Sequence, residues 1–370
     1  MKVLHILYRL NPSGAEKMLY DAAKEFCAHG IEGHILVNDT EDGVYVESLR
    51  SRGYVIHRIP NQRLGGHFLQ FWRLCKREKF TAVHIHVIKG FAAFTFVARL
   101  AGVRNIVKTF HSVFDPAGCL RILLHTLRRH MTQLFGAEMV SISRSVQKNE
   151  YSRFHLQTRL IWNWADDAAF PLAKACSGIE VRRELDIDHN AFVLLTVGNC
   201  HSDSHYRIKN HRLLIEAIAR LPDDIRKDVV YLHVGAEMSE MSERALAASL
   251  GVQSNIRFLG SRTDVWQLLC ASNEYVMTSL REGLSVSAIE AVLSGRRMIL
   301  TDVPGLCDYK DIIPDVAYVS LSSPKDLAEM IAKRFHRRGV EDGDIAIRMA
   351  ALKAFSMKIG VKEYAKLYGV

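Results

Sequence analysis

Short apolar runs alternate along the chain with longer stretches in which apolar residues return every three or four positions. The runs read as buried strands and the stretches as amphipathic helices. Strands are expected at residues 3–8, 33–37, 54–59, 82–86, 105–109 and 138–142, and again at 192–198, 229–235, 256–259, 275–279, 298–301 and 317–319. Nearly continuous apolar strands separated by helices predict parallel sheets covered on both faces. The repeated series predicts an α/β chain of two doubly wound parallel-sheet domains, residues 1–165 and 166–352, with a closing helix at 353–370. At 370 residues, 48% hydrophobic and 24% charged, the chain is long enough for two cores. No apolar run approaches the roughly eighteen residues of a membrane span. Residues 1–8 are followed at once by Arg9 and read as a strand, not a secretory leader, so a cytoplasmic location is expected.

Charge divides unevenly. Residues 1–165 carry 23 Lys and Arg against 12 Asp and Glu, net +11, and residues 166–370 carry 26 against 28, net −2. The basic half points to an anionic partner such as a phospholipid surface or a lipid diphosphate. Nucleic acid is disfavoured, because no zinc-finger spacing or ribonucleoprotein motif is present. Within that half, residues 119–135 form a basic amphipathic pattern, with Leu120, Leu123, Leu124, Leu127, Met131 and Leu134 on one face and Arg121, His125, Arg128, Arg129 and Thr132 on the other. Such a helix either lies in an anionic membrane interface or covers the core with its basic side outward. Seven scattered cysteines without a Cys-x-x-Cys pair are expected as reduced, buried thiols.

The most chemical stretch is Arg281-Glu-Gly-Leu-Ser-Val-Ser-Ala-Ile-Glu290, a turn at a strand's carboxyl end that opens a helix near Ser285. Ligands of open α/β sheets bind at that edge, and free N–H groups at a helix start suit a diphosphate. Glu282 stands at the mouth, and Glu290 lies about five residues into the helix, roughly 7 Å along its axis. Near the start, Asn11-Pro-Ser-Gly-Ala-Glu16 follows the first strand and leads into a helix beginning near Glu16, where Gly14 allows close backbone approach. Lys108-Thr-Phe-His-Ser ends another strand with His111 at its edge, and Arg207-Ile-Lys-Asn-His places Lys209 at a helix start. His84 and His86 alternate on a strand, and His201, His205 and His211 share a polar loop. Without compelling acidic partners they read as polar residues and not metal ligands. Asp264, before an apolar-periodic run, reads as a helix N-cap.

Together these segments resemble the GT-B glycosyltransferases, specifically the large retaining group called family 4. Glu282 and Glu290 match its Glu-x7-Glu signature, and Ser13-Gly14-Ala-Glu16 its Gly-Gly-x-Glu loop with Ser13 for the first Gly. Lys209 matches its phosphate-binding Lys. Residues 258–265 match its Phe-x-Gly-x-x-x-Asp-Val segment, and 355–368 its closing helix, which crosses back onto the first domain. Two departures stand out: Asn199 occupies the position of a diphosphate-binding Arg, and Trp164 that of an interdomain Gly.

The resemblance implies two Rossmann-like domains facing a cleft and transfer of a sugar from a nucleotide-diphosphate sugar to a lipid-linked or surface-polysaccharide acceptor, with retention and without a metal or other cofactor. Glu282, His111 and Lys209 would be catalytic. Gly14, Arg207, Lys209, Arg262, Glu282, Gly283, Leu284, Ser285 and Glu290 would bind the donor, with Arg207 substituting for the missing Arg. The N-terminal domain would hold the acceptor, and the 119–135 helix would touch an anionic membrane from the cytoplasmic side. The alternatives are a non-catalytic GT-B scaffold, suggested by Asn199, and another GT-B enzyme such as a nucleotide-sugar epimerase.

Overall fold

The computed structural model describes residues 1–370 except 12, 38–42, 44, 61–65, 173–177, 200–206, 237–241 and 338–342, and except the side chains of residues 207, 343 and 344. The chain forms two compact units, residues 1–165 with 355–370, and residues 166–354.

The first unit carries seven strands: β1 (Lys2–Leu7), β2 (Glu32–Val37), β3 (Val55–Arg58), β4 (Ala82–Ile85), β5 (Asn105–Phe110), β6 (Ala137–Ser141) and β7 (Arg159–Leu160). They form one parallel sheet in the order β3-β2-β1-β4-β5-β6-β7. Six coincide with expected strands; the two-residue β7 is too short to show a pattern. Strand order reverses between β1 and β4, which makes their carboxyl ends the switch point of this sheet. The helix Met357–Tyr368 packs on the helix Gly14–Ala28 and on β5. Trp164 explains its fit: a Cβ on Gly360 would lie 2.2 Å from the Trp164 ring, so a helical glycine faces the indole that replaces the family's own glycine.

The second unit has six strands: β8 (Phe192–Val197), β9 (Val229–Val234), β10 (Ile256–Phe258), β11 (Glu274–Met277), β12 (Arg297–Thr301) and β13 (Val316–Val319). They are parallel in the order β10-β9-β8-β11-β12-β13, with the reversal between β8 and β11. Its core joins Phe192, Leu194, Tyr231 and Val276 of the sheet to Leu214, Ile218, Leu327 and Ile331 of the covering helices. Both units are therefore Rossmann-like.

Three expectations are corrected. Cys270 is disulfide-bonded, and Cys27 and Cys119 are exposed, so the cysteines are not a uniform set of buried thiols. The first helix starts at Gly14, two residues earlier than its apolar pattern shows, because the first turn holds a glycine, an alanine, a buried carboxyl and a lysine and leaves no large apolar mark. The helix Cys119–Leu134 does not cover the core with its apolar stripe. Leu120, Leu123, Leu127 and Leu134 are 69, 63, 54 and 82% exposed, whereas Arg129 and Thr132 are buried. The inversion follows from partners on the neighbouring helix Arg144–Phe154: Arg129 donates to Glu150 at 2.5 and 2.9 Å and lies 3.7 Å over the Phe154 ring. A paired, stacked guanidinium satisfies the interior that a leucine would otherwise fill.

Candidate active site

In the second unit the switch point is occupied by the turn after β11 and the segment after β8. Lys209 Nζ donates to Glu282 Oε1 at 2.7 Å, and Ser279 Oγ donates to the same oxygen at 2.8 Å. Both charged side chains keep a solvent edge, 28% for Lys209 and 14% for Glu282. The pair is held by backbone on both sides. Leu280 N–H donates to the Ile208 carbonyl at 2.7 Å, and Thr278 Oγ1 to the carbonyls of Lys209 and Asn210 at 3.1 and 2.9 Å.

Glycines permit this crowding. The Lys209 stem lies on Gly198, where a Cβ would sit 3.2 Å from its Cγ; Gly235, at φ +148°, leaves no room for a Cβ, which would fall 2.2 Å from the Gly198 carbonyl oxygen. Glu290 stands on the helix Val286–Leu293 and is buried. Its charge and that of Glu282 reach Tyr275, whose phenol is pushed upward chiefly by burial and further by these two carboxylates. Tyr275 and Ser287 hydroxyls lie 2.8 Å apart, and Tyr309 donates to the Ser285 carbonyl at 2.9 Å, bracing the helix start. Ser285 is the N-cap as expected, and residues 283–285 form the turn between the two glutamates.

The remaining predicted positions are less concentrated. Arg262 forks onto Asp264 at 2.8 and 2.6 Å and reaches Glu184 at 3.0 Å. Asp264 therefore makes no side-chain cap, a correction with a clear cause: a charged two-point contact outcompetes one backbone N–H. Arg262 in turn holds the Asp264 carboxyl below its usual range. Asn199 accepts from the Ala236 N–H at 2.9 Å, tying the ends of β8 and β9 together. The Arg207 side chain, His201 and His205 lie outside the described residues.

In the first unit, Gly14 opens the first helix and is exposed. Ser13 Oγ donates to Glu16, a buried carboxyl that burial pushes up to about 7. His111 lies beyond β5 and joins a cluster that the strand alternation alone does not show. His5 pairs with His84 across β1 and β4. His86 Nδ1 lies 2.9 Å from His111 Nε2, and His5 Nδ1 lies 3.2 Å from His86 Nε2. His84 is separately engaged, with the Tyr368 hydroxyl at 2.6 Å and Thr109 Oγ1 at 2.8 Å. Ligand atoms of His5, His84 and His86 are close enough to share a metal ion. Burial keeps His5 and His111 near about 3, so these rings are neutral donors and acceptors. Lys108 is buried beside them, donates to the Thr109 carbonyl at 2.8 Å, and is drawn down to about 7 by desolvation.

Two Rossmann-like units, each built on a parallel sheet, are the architecture of the GT-B class of sugar-transferring proteins. Residues 12–168 match the family described as Glycosyltransferase Family 4, and residues 191–336 match Glycosyl transferases group 1. The chain belongs to the GT-B glycosyltransferases of this family 4, group 1 type. It is 21% identical over 345 residues to the capsular polysaccharide biosynthesis glycosyltransferase CapH of Staphylococcus aureus, covering 91% of this chain and 92% of the other. It is 24% identical over 248 residues to an Escherichia coli UDP-Gal:alpha-D-GlcNAc-diphosphoundecaprenol alpha-1,3-galactosyltransferase, covering 64% of this chain and 62% of the relative. The crystal structure of Anabaena HepE in complex with UDP superposes with a TM-score of 0.82 at 19% identity, covering 99% of both chains, and that protein is also solved with UDP-glucose.

Proposed function

We propose that the protein is a retaining glycosyltransferase that moves a sugar from a nucleotide-diphosphate sugar, a UDP- or GDP-sugar, to a lipid-linked or surface-polysaccharide acceptor. The observation that carries this reading is the Lys209–Glu282 pair fixed at the switch point of the second sheet. Lys209 and the N–H groups of residues 283–285 would neutralise the departing diphosphate, aided by Arg207. Glu282 would exchange its contacts for sugar hydroxyls, Glu290 would bind ribose, and Arg262 would lie against the base. Gly14 and His111, from the first unit, take the family's roles toward phosphate and sugar. The bond from the anomeric carbon to the diphosphate oxygen breaks with its electron pair leaving on that oxygen. The acceptor hydroxyl forms the new bond on the same face and gives its proton to the departing phosphate. Positioning and charge stabilisation suffice, and the reading invokes neither a protein nucleophile nor a metal.

The acceptor class is supported by the first unit's surface and by the relatives' names, which concern a capsule and a diphosphoundecaprenol-linked sugar. A groove of about 630 Å³ is lined by Ile88, Lys89, Phe91, Phe114, His125 and Arg128, apolar walls with basic groups. The exposed leucines of the helix Cys119–Leu134 share that helix with His125 and Arg128. We assign this face to peripheral contact with an anionic membrane, on its cytoplasmic side. No helix among the described residues is long and apolar enough to cross one.

Thermal shift across a panel of nucleotide sugars tests the donor: the true donor raises Tm, and no response to any member argues for the scaffold reading that Asn199 motivates. Product appearing only with an acceptor excludes an epimerase. Sedimentation with phosphatidylglycerol vesicles tests the membrane face. Leu123→Asp with Leu127→Asp should abolish binding at unchanged Tm, and undiminished binding would remove the assignment.

A further inference from the structure

Three imidazoles run in series through the first unit. His5 lies on β1, His86 follows β4, and His111 follows β5, with contacts of 3.2 Å from His5 Nδ1 to His86 Nε2 and 2.9 Å from His86 Nδ1 to His111 Nε2. Burial keeps all three neutral, His86 well below the usual histidine range. A neutral imidazole has one N–H and one lone pair. Two hydrogen bonds in series through such rings must therefore run in a single direction.

The inner end decides which direction. Among the described residues, His5 Nε2 has no hydrogen-bond partner, and the atom is sealed from solvent. If the series ran inward from His111, His5 would carry an orphaned N–H at that atom. If it runs outward, His5 Nδ1 donates to His86 Nε2, His86 Nδ1 donates to His111 Nε2, and His5 Nε2 is a bare lone pair. Orphaned buried N–H groups are the rarer and costlier defect. With Nε2 already accepting, His111 holds its own proton on Nδ1, and the residue as a whole is half-buried at the end of β5.

We propose that His5 and His86 are positioning residues that fix His111 in its Nδ1–H form, so that an uncharged hydrogen-bond donor meets the sugar hydroxyls or the departing phosphate. The inference rests on the proposed role of His111 toward the donor. Phosphate oxygens of the leaving group accept hydrogen bonds, so the opposite tautomer would face them with a lone pair. Histidines from three neighbouring strand positions, one on β1 and one just beyond each of β4 and β5, thereby set one proton.

The test is nitrogen-15 spectroscopy of imidazole-labelled full-length protein, with the His111 signals assigned by their loss in His111→Gln. The expected result is a protonated Nδ1 and an unprotonated Nε2 on His111. A protonated Nε2, or an even mixture of the two forms, would overturn the proposal. In His86→Phe the bias should disappear and kcat should fall about tenfold, with KM for the donor little changed. His86→Gln, whose amide retains a donor, should restore much of the rate. If the wild-type tautomer is as expected but His111→Gln transfers sugar normally, the imidazole series stands and the assigned role of His111 falls.

Discussion

The two units solve the problem of polar groups at a sheet's carboxyl edge differently. In the second, the polar groups are ions of opposite sign that remain partly open to solvent, Lys209 against Glu282, clamped between loops whose glycines allow backbone to touch backbone. In the first they are neutral rings bonded in series beside a buried lysine whose pKa burial draws down to about 7. An ion pair that keeps a solvent edge can trade its partner for a charged ligand at less cost than a sealed one, because neither ion is fully desolvated before the exchange. A sealed imidazole series cannot exchange partners, but it can orient one proton. The contrast suits the roles proposed above, a diphosphate held by the second unit and directional, uncharged contacts supplied by the first.

The largest effect is expected from opening the first unit's interior. Arg129→Met would leave Glu150 as an unpaired buried carboxylate and destabilise the fold by about 3–5 kcal/mol in denaturant unfolding. Adding Glu150→Leu should recover most of that loss; if it recovers none, the loss comes from packing and not from charge. A smaller effect is expected in the second unit from Gly235→Ala, which forces a side chain against the Gly198 carbonyl in a conformation that favours glycine. A loss of about 1–3 kcal/mol should accompany weaker nucleotide binding, and unaltered stability would show that β8 and β9 can part without harm.

The smallest effect concerns Lys108. Its pKa falls from 10.5 to about 7 in the folded protein because burial disfavours the charged form. Between these values the unfolded chain binds more protons than the folded one, so this group makes stability rise with pH from about 7 towards 10.5. Tm of the wild type relative to Lys108→Met should climb across that window, and parallel curves would show that Lys108 titrates normally.

Much of this was legible in the chain. Period and apolar runs locate twelve of the thirteen strands among the described residues, and the strand–turn–helix context of residues 274–293 puts Glu282 and Glu290 on opposite sides of a helix start. Contacts that depend on register or choice of partner were not legible. His5 meets His84 only because β1 and β4 pair in parallel, 79 positions apart in sequence, and no local pattern encodes that. The periodicity of residues 119–135 reveals two faces but not which one turns inward, since that depends on Glu150 waiting opposite. Asp264 reads as a cap until Arg262 is seen to claim both its oxygens. A charge two residues away defeats a rule that treats the carboxylate alone.

Calorimetric titration with UDP, followed by GDP, into the wild type and Lys209→Ala bears most directly on the diphosphate site proposed at the edge of the second unit. One of the two nucleotides should bind the wild type, and the substitution should weaken it by about tenfold to a hundredfold at unchanged Tm, the loss of a charge-assisted contact. Equal affinity in both proteins, or no heat from either nucleotide with the wild type, would contradict the account.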